Sequence, residues 1–245
     1  MIDLKKELAV QSFCFRNFEA HGKLIELVKE CGLANIELCQ KHVDFSRPDT
    51  FDDVIAQYRD AGVGIVSIGV QQFRNDEAGE RNFFEFAKKA GCRFISANFA
   101  VNAVPEAYRT AEKLADEYGI RLGIHNHGGH HWLGSAQMLG NVFANTGKPI
   151  GLCLDTAWAL DAGEDPVKMA DRFSNRLYGI HFKDFVFDRA RGHEDVVIGT
   201  GNLDLDELIS VLQKNDFDGY AVLEYEGDAD NPVPALKQCV DRILN

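Results

Sequence analysis

Eight short apolar runs alternate with eight stretches of helical periodicity, and this alternation limits the fold more than any other feature of the chain. An apolar run of about four to eight residues is typical of a buried strand, whereas apolar residues at i, i+3 and i+4 indicate a helix. The predicted strands are Val10–Phe15, Asn35–Cys39, Ile65–Val70, Phe94–Phe99, Arg121–His127, Gly151–Asp155, Leu177–Asp184 and Tyr220–Glu226. The predicted helices are Leu24–Cys31, Thr50–Ala61, Asp76–Ala90, Pro105–Tyr118, Ser135–Asn145, Asp165–Phe173, Asp204–Asn215 and Pro232–Leu244.

Strands that alternate with helices in this way predict a parallel sheet, because parallel strands need helical crossovers. With 245 residues the chain approaches the ~250 of an eight-stranded α/β barrel. An open, doubly wound sheet is the alternative, but no G-x-G-x-x-G follows the first strand and no G-x-x-x-x-G-K-[ST] occurs. The sequence therefore predicts a single (β/α)8 TIM barrel domain over residues 1–245.

Four of these strands carry a metal-binding side chain at their C-terminal ends. Side chains alternate across a strand and the outward set of a barrel packs on helices, so Leu122 and Ile124 facing outward place His125 inside. The same parity places Asp155, His181 and Glu224 inside, at the end of the barrel where active sites are built. An inward Asp and Glu without a cation would carry a large desolvation penalty. These four residues are the predicted ligands of one divalent cation.

Small residues precede three of the ligands on the inner face. Gly123, Cys153 and Gly179 each lie one inward position before a ligand, and they predict open space beneath the metal site. A further inward carboxylate, Glu37, is predicted near the site, as a substrate contact or as a partner of a ligand.

Charge and composition limit the classes of molecule that the protein is expected to bind. The formal net charge of −12 disfavours nucleic acid, which needs a basic surface, and favours a small-molecule substrate. No apolar run approaches the ~18 residues needed to span a membrane, and the first residues have no long apolar region typical of a signal peptide. The six cysteines form no C-x-x-C pair, so free buried thiols and a cytoplasmic location are expected. Homo-oligomerisation is an open alternative.

The motifs I-H-N-H-G, L-D-T-A-W, I-H-F-K-D and L-E-Y-E resemble the xylose-isomerase-like sugar phosphate isomerase/epimerase superfamily, whose barrel is shared with endonuclease IV. The N-terminal Q-S-F-C-F-R-N-F and N-I-E-L resemble it too, so the resemblance covers essentially the whole chain. It implies one Mn²⁺, Zn²⁺, Co²⁺ or Mg²⁺ ion, with Asp155, His181 and Glu224 in the positions of the family's ligands.

Two positions depart from the family's pattern. His125 stands where the family usually has a Glu, which leaves Glu224 as the single carboxylate of the acid–base pair that paired-glutamate epimerases use. Trp158 stands where several relatives have a His that binds a further zinc ion. The resemblance with these departures therefore implies one metal, and an imidazole in place of a carboxylate favours Mn²⁺, Zn²⁺ or Co²⁺ over Mg²⁺.

The leading hypothesis is a metal-dependent isomerase or epimerase of a sugar or keto-sugar. The cation would polarise a carbonyl while Glu224 takes the adjacent proton, with His125 or Lys183 as the complementary acid. Two further roles are possible for Lys183: it stabilises an oxyanion, or it forms a structural ion pair with Asp184 or Glu37. A metal-dependent lyase, dehydratase or eliminase of a keto-sugar or inositol derivative is the alternative. Endonuclease-like phosphodiester hydrolysis is a weaker alternative, because the negative net charge disfavours nucleic acid and Trp158 replaces a His that binds a further zinc ion.

The surroundings of the predicted metal include candidate substrate contacts. His127 is a substrate contact or a partner of a ligand, and Trp158 is an apolar wall or a core residue. The connection Phe185–Leu203 is long for this fold and carries His193, which is predicted to contact the substrate. Its Gly199–Gly201 segment precedes a helix, so phosphate binding there and a lid over an unphosphorylated sugar are both open.

Overall fold

The computed structural model describes residues 2–245, and eight parallel strands within them pair side by side into a closed barrel. Each strand pairs with the one before and after it in the barrel, and the first strand closes the ring by pairing with the last. The barrel strands are β1 (Ala9–Gln11), β2 (Asn35–Leu38), β3 (Gly64–Phe73), β4 (Phe94–Phe99), β5 (Arg121–His125), β6 (Ile150–Asp155), β7 (Leu177–Phe182) and β10 (Tyr220–Leu223). The TIM barrel prediction is confirmed.

Helices lie between the strands and cover the outside of the barrel. They are α1 (Leu4–Glu7), α2 (His21–Glu30), α3 (Phe51–Asp60), α4 (Glu77–Ala90), α5 (Glu106–Tyr118), α6 (Ala136–Ala144), α7 (Thr156–Asp161), α8 (Pro166–Arg172), α9 (Leu205–Lys214) and α10 (Val233–Leu244). None of the described helices is long and apolar enough to cross a membrane. Helices α1 and α7 were not predicted, because four and six residues are too few for a periodic pattern.

The predicted helix boundaries agree with the structure because local signals set them. The side chains of Asp76, Ser135 and Asp204 each accept a backbone N–H in the first turn of the helix that follows, which satisfies donors that have no partner within the helix. Gly91 and Gly119 end α4 and α5 with φ of 80° and 68°, in the left-handed region where a glycine has no steric penalty.

Two layers of apolar side chains pack on either side of the barrel wall. Outward side chains of the strands, such as Leu122 and Leu154, belong to the large cluster between strands and helices. A smaller cluster fills the inside of the barrel and consists of Ala9, Phe94, Cys153, Tyr178, Tyr220 and Val222. The parity assigned from the sequence therefore separates the two layers as expected. All six cysteines are free and buried.

The space predicted beneath the metal site is filled. A Cβ on Gly179 would lie 2.2 Å from the ring of Tyr220, and one on Gly123 would lie 2.9 Å from the Cβ of Cys153. At Gly151, which shares this parity, a Cβ would lie 2.5 Å from the ring of Tyr178. Gly151 and Gly179 thus make room for aromatic rings from neighbouring strands, which close the barrel below the site. The alternation rule shows which residues face inward but contains no information on how far a neighbour's ring extends.

The long connection after β7 contains its own secondary structure. Strands β8 (Phe185–Phe187) and β9 (His193–Asp195) form a two-stranded antiparallel hairpin outside the barrel sheet. At three residues each they are too short for a sequence signal. The hairpin brings Asp195 back to the end of the barrel that carries the predicted site.

Candidate metal centre

The four predicted ligands converge at the C-terminal end of the barrel. His125 and Asp155 are the last residues of β5 and β6, His181 lies next to the end of β7, and Glu224 follows β10 directly. Asp155 and His181 are paired in the register of β6 and β7, which brings their side chains together. One donor atom from each of the four residues lies within 4.8 Å of the others, and all four residues are buried.

The distances between these donor atoms suit a small cation. His125 Nε2 lies 3.1 Å from His181 Nδ1, 3.5 Å from Asp155 Oδ2 and 3.9 Å from Glu224 Oε2. His181 Nδ1 and Glu224 Oε2 are 2.7 Å apart. Ligand atoms placed tetrahedrally at ~2.1 Å from a metal would be roughly 3.4 Å apart, a separation that the observed distances bracket.

Asp155 provides a further sign of a cation. Its Oδ1 accepts the backbone N–H of Trp158 at 2.8 Å and so begins α7. Its Oδ2 faces the cluster and has no hydrogen-bond partner among residues 2–245, although it is fully buried. A buried carboxylate oxygen without a donor is costly unless a cation is bound there, so the residues present fit a divalent metal.

The four clustered side chains lie so close together that the pKa values of His125 and Glu224 are shifted. Burial opposes protonation of His125, but the nearby carboxylates of Asp155 and Glu224 outweigh it and raise its pKa to about 9. Burial also opposes charge on Glu224, yet the Lys183 ammonium and the two nearby imidazoles hold its pKa well below the usual range. Positive charge is therefore stabilised at this point, as a proton or as a metal ion.

Glu37 lies beneath the cluster instead of facing a substrate. It is fully buried, and its Oε1 is 3.1 Å from Nε2 of His181, the ring nitrogen turned away from the other ligands. Gln11 Nε2 donates to the same oxygen at 2.5 Å, and the Ser67 hydroxyl donates to Oε2. Of the two roles predicted for Glu37, the structure places it next to a ligand and outside the cavity lining.

A cavity of about 510 Å³ opens above the cluster. His125 and Glu224 lie at its floor, where they are both cluster members and lining residues. Phe13, Val70 and Trp158 give it apolar walls. Its size and its mixture of apolar walls with a few polar groups are typical of a small-molecule site.

The sequence predicts His127 and Trp158 as candidate substrate contacts. Both line the cavity, and the ring of His127 is centred 4.8 Å from that of His125. Burial, reinforced by the neighbouring His125 and His131, lowers the pKa of His127 to about 3, so its ring is neutral near pH 7. His193 is not in the lining. It stacks on Phe185 at 4.3 Å between ring centroids and packs behind Trp158.

Lys183 takes part in an ion pair that the sequence did not reveal. Its Nζ contacts the carboxylate of Glu226 and lies 3.9 Å from Asp195 Oδ1, and its side chain is 1% exposed. Neither expected partner is used, because Asp184 points to the other side of the strand end and Glu37 lies beneath His181. Glu226 lines the cavity. It shares the parity of Glu224 two residues earlier, which is the signal that would have identified it.

The loop at Gly199–Gly201 is not free to bind phosphate. The Asp184 carboxylate accepts four backbone N–H groups there, from Gly199 and Gly201 at its Oδ2 and from Asn202 and Leu203 at its Oδ1, all at 2.8–3.0 Å. The predicted anion site is thus occupied by a carboxylate of the chain itself. We call this arrangement the Asp184 cradle.

Comparisons with known proteins agree with this architecture. The chain is 23% identical over 217 residues to the 3-oxo-isoapionate decarboxylase of Pectobacterium atrosepticum, covering 82% of this chain and 76% of that protein. It is 27% identical over 134 residues to the inosose dehydratase of Lacticaseibacillus casei, covering 48% of this chain and 45% of that protein. The zinc-bound crystal structure of the IolI protein superposes with a TM-score of 0.75 and 17% identity over 97% of this chain and 98% of that one.

The match to the family extends beyond single relatives. Residues 25–243 match the sequence model described as xylose isomerase-like TIM barrel, and this range includes all four residues of the cluster. The chain belongs to the xylose isomerase-like TIM barrel family.

Proposed function

We propose that this protein is a metal-dependent isomerase or epimerase of a sugar or keto-sugar, with His125, Asp155, His181 and Glu224 as the ligands of one divalent ion. The observation that carries the proposal is the unpartnered Asp155 Oδ2 within a His/Asp/His/Glu cluster on the floor of a 510 Å³ cavity. Two imidazoles and two carboxylates suit Zn²⁺, Mn²⁺ or Co²⁺ better than Mg²⁺. When bound, such an ion supplies Lewis-acid polarisation of a substrate carbonyl.

Glu224 is the proposed base. It is the carboxylate that belongs to the ligand cluster and also lines the cavity, so a substrate above the cluster lies against it. The pKa of Glu224 is held below its usual range, so the side chain is a carboxylate near pH 7, the form that can accept a proton. Asp155 has no such role, because its two oxygens face the cluster and the N–H of Trp158.

The residues around Glu224 favour return of the proton by the same carboxylate. His125 has its Nε2 within the cluster, and a nitrogen that binds a metal has no proton to donate. His127 is neutral because its pKa is about 3, so it is a weak proton donor. The Lys183 ammonium is enclosed by Glu226 and Asp195 and holds its proton firmly. A single base performs isomerisation when it takes the proton from one carbon and returns it to the adjacent carbon, while the hydroxyl proton passes between the two substrate oxygens.

A dehydratase or other lyase is the second candidate. Two relatives favour it, since one is named inosose dehydratase and the other 3-oxo-isoapionate decarboxylase. The same base would begin the reaction, but a leaving group would then depart from the neighbouring carbon. Isomerisation leaves the substrate mass unchanged, whereas dehydration removes one water, so mass spectrometry of the products separates the two.

The test compares two isosteric substitutions in the cluster. Glu224→Gln should abolish turnover of a keto-sugar panel while much of the bound metal remains, because an amide cannot accept the proton. Asp155→Asn should mainly release metal, by about 10-fold or more in affinity. Exposed Glu19→Gln is the control. Full activity in Glu224→Gln would remove it as the base, and full metal occupancy in Asp155→Asn would remove Asp155 as a ligand.

A further inference from the structure

The cavity lacks the basic surroundings that a phosphorylated substrate needs. In barrels of this kind phosphate often binds at the loops after the seventh and eighth strands, near a helix N-terminus. Here the four backbone N–H groups of that region are bound by Asp184, which is 1% exposed and cannot leave without exposing all four donors. The Asp184 cradle therefore withdraws the fold's usual phosphate site from the substrate.

The cationic side chains near the cavity are also bound to other groups of the chain. Lys183 is paired with Glu226. Arg16 donates to the backbone carbonyls of Glu226 at 2.6 Å and Phe13 at 3.3 Å. On the hairpin, Arg191 stacks over the Phe187 ring and does not line the cavity. Among residues 2–245, Lys41 is the one lining cation without a carboxylate partner, and it is exposed at the rim.

The charges at the cavity leave little positive charge to bind an anion. The carboxylates of Asp155 and Glu224 balance a divalent cation, and the Lys183 charge is shared between Glu226 and Asp195. That leaves the single exposed charge of Lys41 within a molecule of formal net charge −12. A phosphate ester carries a charge of about −1.5 to −2 near pH 7, and buried sites bind it with several charge-assisted hydrogen bonds.

The same lining suits hydroxyl groups and a sugar ring. The Glu226 carboxylate is 26% exposed and can accept hydrogen bonds from hydroxyls, and Gln40 offers an amide at the rim. Phe13 and Trp158 add aromatic surface to the lining, against which the C–H groups of a ring can pack. We infer that the substrate is an unphosphorylated keto-sugar or a cyclic polyhydroxy-ketone, and this inference rests on the proposed function above.

The experiment measures binding directly, without requiring that the natural substrate be known. Zn²⁺-loaded protein is examined by saturation-transfer difference NMR, which detects millimolar affinities, with matched pairs of probes. The pairs are D-fructose with D-fructose 6-phosphate and D-xylulose with D-xylulose 5-phosphate, and 2-keto-myo-inositol is added as a cyclic ketone. Metal-free protein and Asp155→Asn are the controls for metal-dependent binding.

The uncharged member of a pair should give a metal-dependent signal at least about ten-fold stronger than its phosphate ester. Added inorganic phosphate at equal concentration should not reduce that signal. A phosphate ester that binds as well as or better than its uncharged partner, with a signal lost in Lys41→Gln, would overturn the inference. Absence of metal-dependent binding by every probe, charged and uncharged, would instead count against the proposed sugar chemistry.

Discussion

At the scale of single residues, His181 determines how a metal would be held. Its Nδ1 faces His125 and Glu224, while its Nε2 faces the fully buried Glu37. A carboxylate next to one ring nitrogen favours a proton on that nitrogen and leaves the other with a lone pair for the metal. Gln11 and Ser67 hold Glu37 in place from its other sides. We therefore expect Glu37 to act as a positioning residue for His181.

Glu37→Gln should weaken metal binding by about 10- to 100-fold, because the amide no longer fixes the proton on Nε2 of His181. Competition with a chromophoric chelator measures the affinity. Glu80→Gln is the matched control, since Glu80 is another buried carboxylate that accepts backbone N–H groups far from the cluster. An unchanged affinity in Glu37→Gln would show that Glu37 acts on stability alone. Long-range ¹H–¹⁵N NMR of the holoprotein should place the His181 proton on Nε2.

Asp195 predicts a pH dependence of folding. Burial, only partly offset by Lys183, raises its pKa to about 6, above the ~3.9 of an unfolded aspartate. The folded state thus binds an extra proton between about pH 4 and 6, and the stability from that proton is lost as the pH rises through this window. In metal-free protein, the gain in unfolding free energy from Asp195→Asn should be about 1–2 kcal/mol larger at pH 7 than at pH 4. Urea unfolding measures it, and parallel pH profiles of the two proteins would contradict it.

At the scale of secondary-structure elements, the connection from β7 to α9 contacts the barrel end at two places. Its hairpin carries Asp195 to Lys183 and to the backbone N–H of Glu226, which lies 3.2 Å from Asp195 Oδ1. Its second half wraps around the Asp184 carboxylate. Both halves of this connection are bound to the barrel end, and none of its residues is among those that line the cavity, which differs from the lid expected as one alternative.

Asp184→Ala should destabilise the protein by about 2–4 kcal/mol, because four backbone N–H groups lose their acceptor. Inorganic phosphate should raise the melting temperature of this variant by entering the vacated cradle, and leave the wild type unchanged. Asp184→Asn, which keeps one acceptor oxygen, should fall between the two. Asp188→Ala is the control, since Asp188 accepts N–H groups at the exposed hairpin turn. Equal stabilisation of wild type and variant by phosphate would indicate a separate anion site.

At the scale of the whole molecule, the predicted metal joins four strands of the barrel. Its ligands come from β5, β6, β7 and the end of β10, over a span of one hundred residues. A ligand that binds the native state but not the unfolded chain stabilises the fold by mass action. We therefore expect metal binding to stabilise the folded state across half of the barrel.

Zn²⁺ at about 100 times its dissociation constant should stabilise the protein by about 2.7 kcal/mol, which corresponds to roughly 5–10 °C in Tm for a chain of this size. Differential scanning fluorimetry before and after dialysis against EDTA measures the shift. Asp155→Asn should show little of it. A shift of the same size in Asp155→Asn would assign the stabilisation to metal bound elsewhere.

The sequence by itself determined the features that depend on local periodicity. Alternating apolar patterns determined the eight strand–helix units, and strand parity determined that His125, Asp155, His181 and Glu224 face inward at one end. Helix ends at Asp76, Ser135 and Gly91 followed from capping preferences within a few residues. These properties need only the geometry of one strand or helix, so they can be read without knowledge of the neighbours.

Tertiary structure alone decided which side chains meet across the barrel. Lys183 pairs with Glu226 and Asp195, Glu37 contacts His181, and the ring of Tyr220 fills the space at Gly179. Each contact joins segments at least twelve residues apart and depends on side-chain rotamers and on the register of adjacent strands. Those quantities arise only when the barrel closes, so the sequence contains the donors of the site but not their partners.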